Sequence, residues 1–400
     1  FTHWIRLHWI NEPLLALLLG VLIGPEGLAW LDLAKYGEES AILEVTARFT
    51  LAVALVSVGL ELRGYLTGAW RSLTVLVLAG MALTWGISSL LVGWILGLDP
   101  LPAILIGAVL APIDPILTAA ITTGRVASDN VPERIRHLLN ADSAARHGLG
   151  LMFVLLPALL ITKSDAEAWT EWLSYTLLWK GLVAVIVGGL IGYVVGRLHA
   201  WSTSRRLDET ATGPLMPIFY TLALLVVSGV ELMDSDGLLA VLVAGVTFAW
   251  SRTGEEKGEG LEREQRQYQH VLKQVLQVPV FALLGVALPW AGWKELGWPA
   301  LGLVLAILLL RRIPSLLLLK PLISDVRRWD EALFVGWFGP IGVGALYFAA
   351  VAHKETQLEQ VWSVGTLLIA ATVVAHDVTA TPLSQWLARR EATQSSMDNG

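Results

Sequence analysis

The chain has 400 residues, of which 55% are hydrophobic and 16% charged, and its mean hydropathy is +0.62. Soluble proteins have a charged fraction near a quarter, so this composition indicates a membrane protein. The formal net charge of −6 is too small to favour a nucleic-acid partner, and the absence of cysteine excludes disulfides, thiol catalysis and cysteine-ligated metal centres. Because the chain begins at Phe1 rather than Met, we expect residues to be missing upstream, and no signal peptide can be identified.

Twelve hydrophobic runs follow one another along the chain, bounded by charged residues, glycine and proline. A helix that crosses a bilayer takes about 20 residues, and the runs are close to that length. The predicted spans are 13–31, 45–60, 73–96, 101–122, 137–161, 175–196, 214–230, 237–250, 271–292, 297–319, 331–352 and 361–387. The predicted fold is therefore an all-α polytopic bundle in a lipid bilayer.

Basic residues divide unequally between the two sides of such a bundle. When loops are assigned alternately, the side with both visible termini collects 21 of the 28 Lys and Arg residues. The loops of the other side have only Lys35, Lys163, Lys294 and Lys354, and the remaining three, Arg48, Arg146 and Lys180, lie near or inside spans. Cytoplasmic loops are enriched in Lys and Arg, so we expect both visible termini in the cytoplasm. The polar stretch 251–273 falls on the same side and predicts a solvated loop or helix.

Spans 4 and 11 carry helix-breaking residues at mid-depth. Span 4 reads GAVLAPIDPILTAAITTG, with Asp114 between Pro112 and Pro115, and span 11 reads FVGWFGPIGVGALYF, with Gly339 and Pro340 near its centre. Proline removes a backbone donor and clashes with the preceding turn, so both spans are predicted to unwind there. Two such breaks in corresponding positions indicate a transporter with inverted repeats and a midplane site, although simple kinks are the alternative.

Span 5 contains HLLNADSAARHGLGLMFVLLPALL, with polar residues one or two turns inside an apolar run. Asp142 and Arg146 are spaced i,i+4, as are Ser143 and His147, so each pair can meet on one helix face. One interpretation is functional, because buried ionisable groups are costly and histidine titrates near physiological pH. The other is structural: Asp142 and Arg146 brace each other, and His147 packs against Ser143.

Two further polar clusters lie in or near spans 10 and 12. Arg311 and Arg312 stand near the cytoplasmic edge of span 10, in LLLRRIPSLLLLKPL. We expect one of them to extend to the membrane surface and the other to reach inward to Asp142 or Asp114. His376 and Asp377, in VVAHDVTATP, predict hydrogen bonds between helices.

These stretches, with GVLIGPEGL in span 1, FTLAVALVSVGLELRGYL in span 2 and LLAVLVAGVTF in span 8, resemble the bacterial cation/proton antiporters of the sodium/hydrogen exchanger superfamily. The resemblance covers nearly the whole chain and implies a homodimer. It implies a scaffold of spans within 13–60 and 175–292, and a transport core of spans within 73–161 and 297–387 that moves around broken spans 4 and 11. It also implies a further span before Phe1, which would place the true N-terminus outside.

The chain departs from the family pattern at the implied ion site. The family carries Thr-Asp-Pro where this chain has Ile113-Asp114-Pro115, so the aspartate matches and the threonine ligand does not. The family's Glu-Ser-Gly-x-Asn-Asp-Gly corresponds here to DSAARHG, residues 142–148. Its ion-binding and proton-exchanging aspartate is thus replaced by His147, and its asparagine by Arg146. The family's span-10 arginine matches Arg312, which the resemblance pairs with Asp142.

The sequence therefore predicts a secondary transporter that exchanges protons for sodium, potassium or lithium by alternating access, in a bacterial inner membrane. Asp114 is the predicted principal carboxylate and His147 the predicted proton carrier. Asp114 and Ser143 are the predicted oxygen ligands of an alkali cation. Asp142, Arg146 and Arg312 are the predicted supporting groups.

Two alternatives stay open. Arg146 cannot deprotonate and would repel a bare cation, so with protonated His147 and half-helix N-termini it could form a site for an anion or organic solute. The other alternative is a non-transporting sensor that has lost its exchange site. No phosphate loop, nucleophile–base pair or metal-ligand cluster supports an enzyme, and no cofactor is expected.

Overall fold

In the computed structural model, the described residues are 11–68, 70–204, 215–251 and 276–398. Within these ranges the chain is built of helices and short connections, without a strand. The loop at 205–212, the polar stretch after Ser251 and the first ten residues, for which cytoplasmic positions were predicted, lie outside the described ranges.

The helices of the described ranges are numbered in chain order. They are α1 (Glu12–Ile23), α2 (Glu39–Gly68), α3 (Trp70–Leu96), α4 (Pro100–Leu110), α5 (Pro115–Thr122), α6 (Gly124–Asn130), α7 (Glu133–Thr162), α8 (Asp165–Ser202), α9 (Leu215–Glu231), α10 (Gly237–Ser251), α11 (Val278–Val286), α12 (Trp290–Leu296), α13 (Pro299–Leu310), α14 (Ile313–Leu319), α15 (Trp329–Trp337), α16 (Val343–Thr356) and α17 (Glu359–Asp398).

Each of the twelve predicted spans overlaps at least one helix. Within the described ranges, six helices have the length and apolar composition of a complete crossing, and α4 with α5 makes a seventh if the bent pair is one span. The count of twelve therefore stays a prediction. Span 1 is shorter than predicted: α1 ends at Ile23, and Gly24 is extended because the ring of Pro25 disfavours the helical conformation in the residue before it.

Both predicted helix breaks are confirmed. The chain between α4 and α5 is non-helical over residues 111–114, and the two helices meet at 41°. Residues 338–342 separate α15 from α16 in the same way. Pro112 and Pro115 lie in or directly after the first break, and Gly339 and Pro340 lie in the second. Neither span is a simple kink, because each contains four or five consecutive residues that belong to no helix.

Helix packing brings the two breaks together in the interior. α7 packs against α4, α5 and α16, and α17 also packs against α4, α5 and α16. A second set of contacts joins α2 to α9 and α10, α8 to α10, and α1 to α11. α2 also packs against α7 and α16, so it forms a border between the two sets. The division into scaffold and moving core stays a prediction.

Two helices contain π-helical turns. α3 is π-helical over Leu76–Gly80, and α8 is π-helical over Trp172–Gly181. A π turn adds one residue to a helical turn and leaves carbonyl groups available to other partners. α8 is the most exposed of the long apolar helices in the described chain, with 22% of its apolar window buried, as expected of a helix that faces lipid.

Candidate functional site

Asp114 lies at the point where two half-helices begin. Its Oδ1 accepts hydrogen bonds from the amides of Ile116 (2.8 Å) and Leu117 (2.9 Å), so it caps the N-terminus of α5. Its Oδ2 accepts a hydrogen bond from the amide of Gly344 (3.2 Å), in the first turn of α16. The carboxylate is 1% exposed. A single negative charge therefore meets the positive dipole ends of both half-helices.

The backbone of the two breaks is joined directly. The Asp114 amide donates to the carbonyl of Pro340 (2.9 Å), so one break supplies the hydrogen-bond partner that the other has lost. Two glycines of span 11 make this approach possible. A Cβ on Gly342 would lie 2.5 Å from Asp114 Oδ2, and a Cβ on Gly344 would lie 1.8 Å from His147 Nε2. Glycine is required at both positions because a side chain would occupy the junction.

His147 presents an unused ring nitrogen to the same junction. Its Nδ1 donates to the carbonyl of Ser143 (2.9 Å) in α7, so a neutral ring carries its lone pair on Nε2. Nε2 is buried without a hydrogen-bond partner in the described part of the chain, and it is the atom that faces Gly344. The ring also stacks against Phe348, with centroids 6.1 Å apart. This nitrogen can accept a proton next to Asp114.

Ser143 lies one turn before His147 and contacts the first break. Its hydroxyl donates to the carbonyl of Ile113 (2.5 Å), the residue before Asp114, and the side chain is fully buried. The hydroxyl oxygen keeps lone pairs for a cation. The structure thus brings together the predicted ligands Asp114 and Ser143 around one stretch of unwound backbone. Across the described ranges, no group of three or more His, Asp or Glu side chains has the geometry of a metal site.

Arg146 and Arg312 both bind Asp142. Arg146 Nε lies 2.7 Å from Asp142 Oδ1, and Arg312 Nη2 lies 3.1 Å from Asp142 Oδ2. The spacing predicted the pair with Arg146 and the resemblance implied the pair with Arg312; both form, and each arginine binds a different oxygen. All three side chains are 2% exposed or less. Asp142 is thus a shared counter-ion, as expected of a buried charge.

The rest of the Arg146 guanidinium binds backbone carbonyls. Nη2 donates to Leu76 O (2.9 Å) at the start of the π turn in α3, and Nη1 lies 3.4 Å from Ala111 O at the end of α4. Its charge therefore lies against Asp142 and a helix C-terminus. The repulsion of a bare cation that the sequence suggested is reduced by these negative partners.

Arg311 was expected at the membrane surface or reaching toward a carboxylate, and the structure corrects this. Arg311 is 3% exposed and donates to the carbonyls of Leu110 and Gly339. It thus joins the C-terminal ends of α4 and α15. Neither arginine extends to the surface: Arg311 binds carbonyl groups near the two breaks, which need donors in the interior, and Arg312 binds the buried Asp142 carboxylate.

His376 also contributes to this side of the crossing. Its Nε2 lies 2.8 Å from the carbonyl of Trp337, the last residue of α15, and its Nδ1 lies 2.8 Å from Thr372 O. Asp377 accepts a hydrogen bond from the amide of Leu14 (3.1 Å) in α1. The predicted helix-to-helix hydrogen bonds of this pair are confirmed. The contact of His376 with a helix break was not predicted.

Comparison with known proteins places this chain in a family of membrane proteins. The family model described as the transmembrane region of the sodium/hydrogen exchanger matches residues 1–386. The chain belongs to the sodium/hydrogen exchanger family. The family is one of transporters, and the chain is an integral membrane protein. The predicted family and its all-helical fold are confirmed.

Relatives of this exchanger-family chain include proteins of yeasts and bacteria. Na(+)/H(+) antiporter 2 of Zygosaccharomyces rouxii is 32% identical over 88% of this chain and 43% of its own length. The Na(+)/H(+) antiporter of Saccharomyces cerevisiae is 33% identical over 87% of this chain and 36% of its own length. The K(+)/H(+) antiporter NhaP of Alkalimonas amylolytica is 21% identical over 97% and 65%. The chain spans less than half the length of the first two relatives.

Among solved structures, the chain is similar to the sodium proton antiporter MjNhaP1 of Methanocaldococcus jannaschii at pH 8. The TM-score is 0.71 at 20% sequence identity, and the match covers 97% of this chain and 95% of the other. At this identity the likeness shows the exchanger fold alone.

Proposed function

We propose that the chain exchanges protons for a monovalent cation by alternating access, with Asp114 and His147 at the exchange site. The observation that carries the proposal is the position of His147 Nε2, a buried proton acceptor facing the junction where two helix N-termini meet Asp114. Membership of the exchanger family and the names of the relatives support the same reaction.

Charge balance gives a reason for exchange at this site. Each helix N-terminus carries about half a positive charge, so two of them roughly balance one carboxylate. One additional positive charge is then tolerated, either a cation on Asp114 and Ser143 or a proton on His147. Both together would repel each other by about 4 kcal/mol at 4 Å, for an effective dielectric constant near 20. A cation that binds from one side therefore favours release of the proton.

The cation is held by oxygen atoms in this proposal. Asp114 Oδ2 uses one hydrogen bond, from Gly344, and Ser143 Oγ keeps its lone pairs while donating to Ile113. Carbonyl groups of the two breaks are the additional ligands. Hard alkali cations prefer such oxygen ligands, and sodium, potassium and lithium are all candidates.

Transport in proteoliposomes with an internal pH dye tests the assignment. Adding an alkali cation outside should change the internal pH, and Asp114→Asn and His147→Gln should each abolish the change. Asp129→Asn is the matched control, because Asp129 is 60% exposed and pairs with Arg125 at the surface. A full signal from Asp114→Asn would contradict the proposal.

The same vesicles separate cation from anion transport. Varying the cation and the anion independently should show dependence on the cation alone, because the Arg146 guanidinium already binds Asp142 and two carbonyls. Transport that persists without alkali cations, follows the anion and is lost in Arg146→Asn would favour the anion alternative. If the protein transports none of the cations or anions supplied, the result would favour the sensor alternative.

We further propose a bacterial inner-membrane homodimer whose visible termini are cytoplasmic, with the scaffold and core implied by the resemblance. The distribution of basic residues supports this sidedness. Because the chain has no cysteine, single cysteines can be labelled without background. A membrane-impermeant maleimide should label Glu38→Cys from outside and Asp129→Cys only after permeabilisation. The reverse pattern would invert the topology, and a monomeric mass in lipid nanodiscs would contradict the dimer.

A further inference from the structure

The two helix breaks carry the same short motif. Residues 112–114 read Pro-Ile-Asp, and residues 340–342 read Pro-Ile-Gly. A hydroxyl residue, followed four positions later by histidine, lies 30 residues after the first isoleucine and 31 residues after the second. These pairs are Ser143 with His147 and Thr372 with His376. The two halves of the predicted inverted repeat thus resemble each other in their polar residues as well as in their breaks.

The structure gives the two pairs the same contacts. In the first half, the hydroxyl of Ser143 in α7 donates to the carbonyl of Ile113 (2.5 Å). In the second half, the hydroxyl of Thr372 in α17 donates to the carbonyl of Ile341 (2.5 Å). In both pairs the histidine Nδ1 lies within 2.9 Å of the backbone carbonyl of the hydroxyl residue. Each break therefore has its isoleucine carbonyl bound by a hydroxyl from the helix of the next span.

Thr372 fixes the backbone of the second break from α17. Its side chain is buried, and Ile341 is buried as well. The hydroxyl also lies 3.0 Å from the carbonyl of Ile369 in its own helix, but it has one hydrogen, and the contact with Ile341 is the shorter of the two. A buried carbonyl in unwound backbone needs a donor, and Thr372 supplies one.

Ile341 lies between residues that contact Asp114. The carbonyl of Pro340 accepts the Asp114 amide (2.9 Å), and the amide of Gly344 donates to Asp114 Oδ2 (3.2 Å). A Cβ on Gly342 would lie 2.5 Å from the same carboxylate oxygen. The carbonyl of Ile341 and the amide of Gly342 belong to one planar peptide unit. A hydroxyl that holds this carbonyl therefore also fixes the direction in which the backbone approaches Asp114.

The two halves differ in the residue that follows the isoleucine. The first half has Asp114 there, and the second half has Gly342. The second half thus brings no charged side chain to the junction at this position. What it brings is backbone, since the first turn of α16 supplies an amide to the Asp114 carboxylate. The position of that backbone is therefore its contribution to the site.

We propose that Thr372 is a positioning residue of the exchange site and the counterpart of Ser143 in the second half of the repeat. Its hydroxyl holds the Ile341 carbonyl against α17. This contact keeps the first turn of α16 on Asp114 and so sets the affinity of the site for the alkali cation. The role in exchange rests on the proposed function, whereas the hold on the second break does not require transport.

Two substitutions separate the hydroxyl from the volume of the side chain. Thr372→Val keeps the volume and loses the hydroxyl, so the apparent KM for sodium should rise by about tenfold, the size expected of one hydrogen bond, with little change in the maximal rate. Thr372→Ser keeps the hydroxyl and should retain the parent KM. Thr50→Val is the matched control, because Thr50 is equally buried and its hydroxyl donates to Thr46 O within α2. A parent KM in Thr372→Val, or an equal rise in Thr372→Ser, would overturn the proposal.

Amide hydrogen exchange tests the hold on the break without transport. In the purified protein, Thr372→Val should speed exchange in peptides that cover residues 338–346 and leave peptides that cover 110–118 at the parent rate. Ser143→Ala should do the reverse. Unchanged exchange at 338–346 in Thr372→Val would overturn the positioning role. A parent protein that moves no protons in response to alkali cations would instead contradict the proposed function, so the two failures are distinguishable.

Discussion

The two sides of the helix crossing carry opposite charge. Where α5 and α16 begin, amide groups converge on Asp114, and helix ends of about half a charge each balance that carboxylate. Where α4 and α15 end, carbonyls converge on Arg146 and Arg311, and Asp142 is shared by Arg146 and Arg312. Three guanidiniums there meet one carboxylate and two helix ends, which leaves a surplus of about one positive charge.

This difference separates a side that can change its charge from a side that cannot. At the beginning of α5 and α16, one proton on His147 or one bound cation makes a nearly neutral site positive. At the end of α4 and α15, arginine keeps its charge at any physiological pH. The first side, where α5 and α16 begin at Asp114, is called the balanced side and is suited to exchange. The second, where α4 and α15 end, is called the arginine side and holds the broken helices together.

The largest effect is expected from removing Asp142. Asp142→Ala leaves Arg146 and Arg312 buried without their shared counter-ion, which should cost about 3–5 kcal/mol of stability. Thermal unfolding in detergent, followed by fluorescence-detected size exclusion, measures the loss. Removing Arg146 as well, in Asp142→Ala with Arg146→Ala, should recover part of it. An unchanged melting temperature would show that the carboxylate does not balance the arginines.

Adding a methyl group at the balanced side should have the next largest effect. Gly344→Ala places a Cβ 1.8 Å from His147 Nε2, so the ring must move away from the junction. We expect a stability loss of about 1–3 kcal/mol and a loss of exchange. Gly302→Ala, in α13, is the control, because nothing lies within 4 Å of its added Cβ. Exchange by Gly344→Ala at the parent rate would contradict the position of His147 in the site.

A smaller effect is expected from Arg311→Lys. Lysine keeps the charge but lacks the fork that reaches Leu110 and Gly339 together. One carbonyl should lose its donor, at a cost of about 1–3 kcal/mol, with the pH dependence of exchange unchanged. Melting temperature and a pH–rate profile test both parts. A shifted profile in this variant would mean that the arginine side takes part in the titration.

Restoring the family motif tests the pH dependence of exchange rather than stability. Arg146→Asn with His147→Asp returns an aspartate to the position of the proton carrier. Exchange should persist with a changed pH dependence, because a carboxylate is charged when deprotonated and an imidazole when protonated, so burial acts on the two groups in opposite directions. Sodium-driven proton movement measured from pH 5 to pH 9 tests this. An unmoved pH dependence would show that residue 147 does not carry the proton.

The sequence predicted the balanced side better than the arginine side. Pro112, Asp114 and Pro115 indicated a break in span 4, and Gly339 and Pro340 indicated one in span 11, because proline and glycine act on the backbone near their own positions. The spacing of Asp142 and Arg146 likewise predicted their ion pair, since i,i+4 neighbours share a helix face. Local chemistry was sufficient for these features.

Arg311 and His376 could not be placed by the same reasoning. Arg311 binds carbonyls 201 and 28 residues away, and His376 binds one 39 residues away. Such partners depend on how the helices cross. A general signal was present: two broken helices leave C-terminal carbonyls in the interior, and these need buried donors. The only Lys or Arg residues within predicted spans 5 and 10 are the arginines at 146, 311 and 312.

Because of the π turn at Leu76–Gly80, the contacts of Arg146 depend on the rotation of α3 about its own axis. The carbonyl of Leu76, the first residue of this turn, accepts a hydrogen bond from Arg146 Nη2. A Cβ on Gly80 would lie 2.9 Å from that same nitrogen. A π turn is equivalent to one inserted residue, and each residue advances an α-helix by about 100°. Deleting one residue from this turn would rotate the N-terminal part of α3 relative to the rest and turn Leu76 away from Arg146. An insertion or deletion here would thus change ion pairing at the crossing without altering any charged residue.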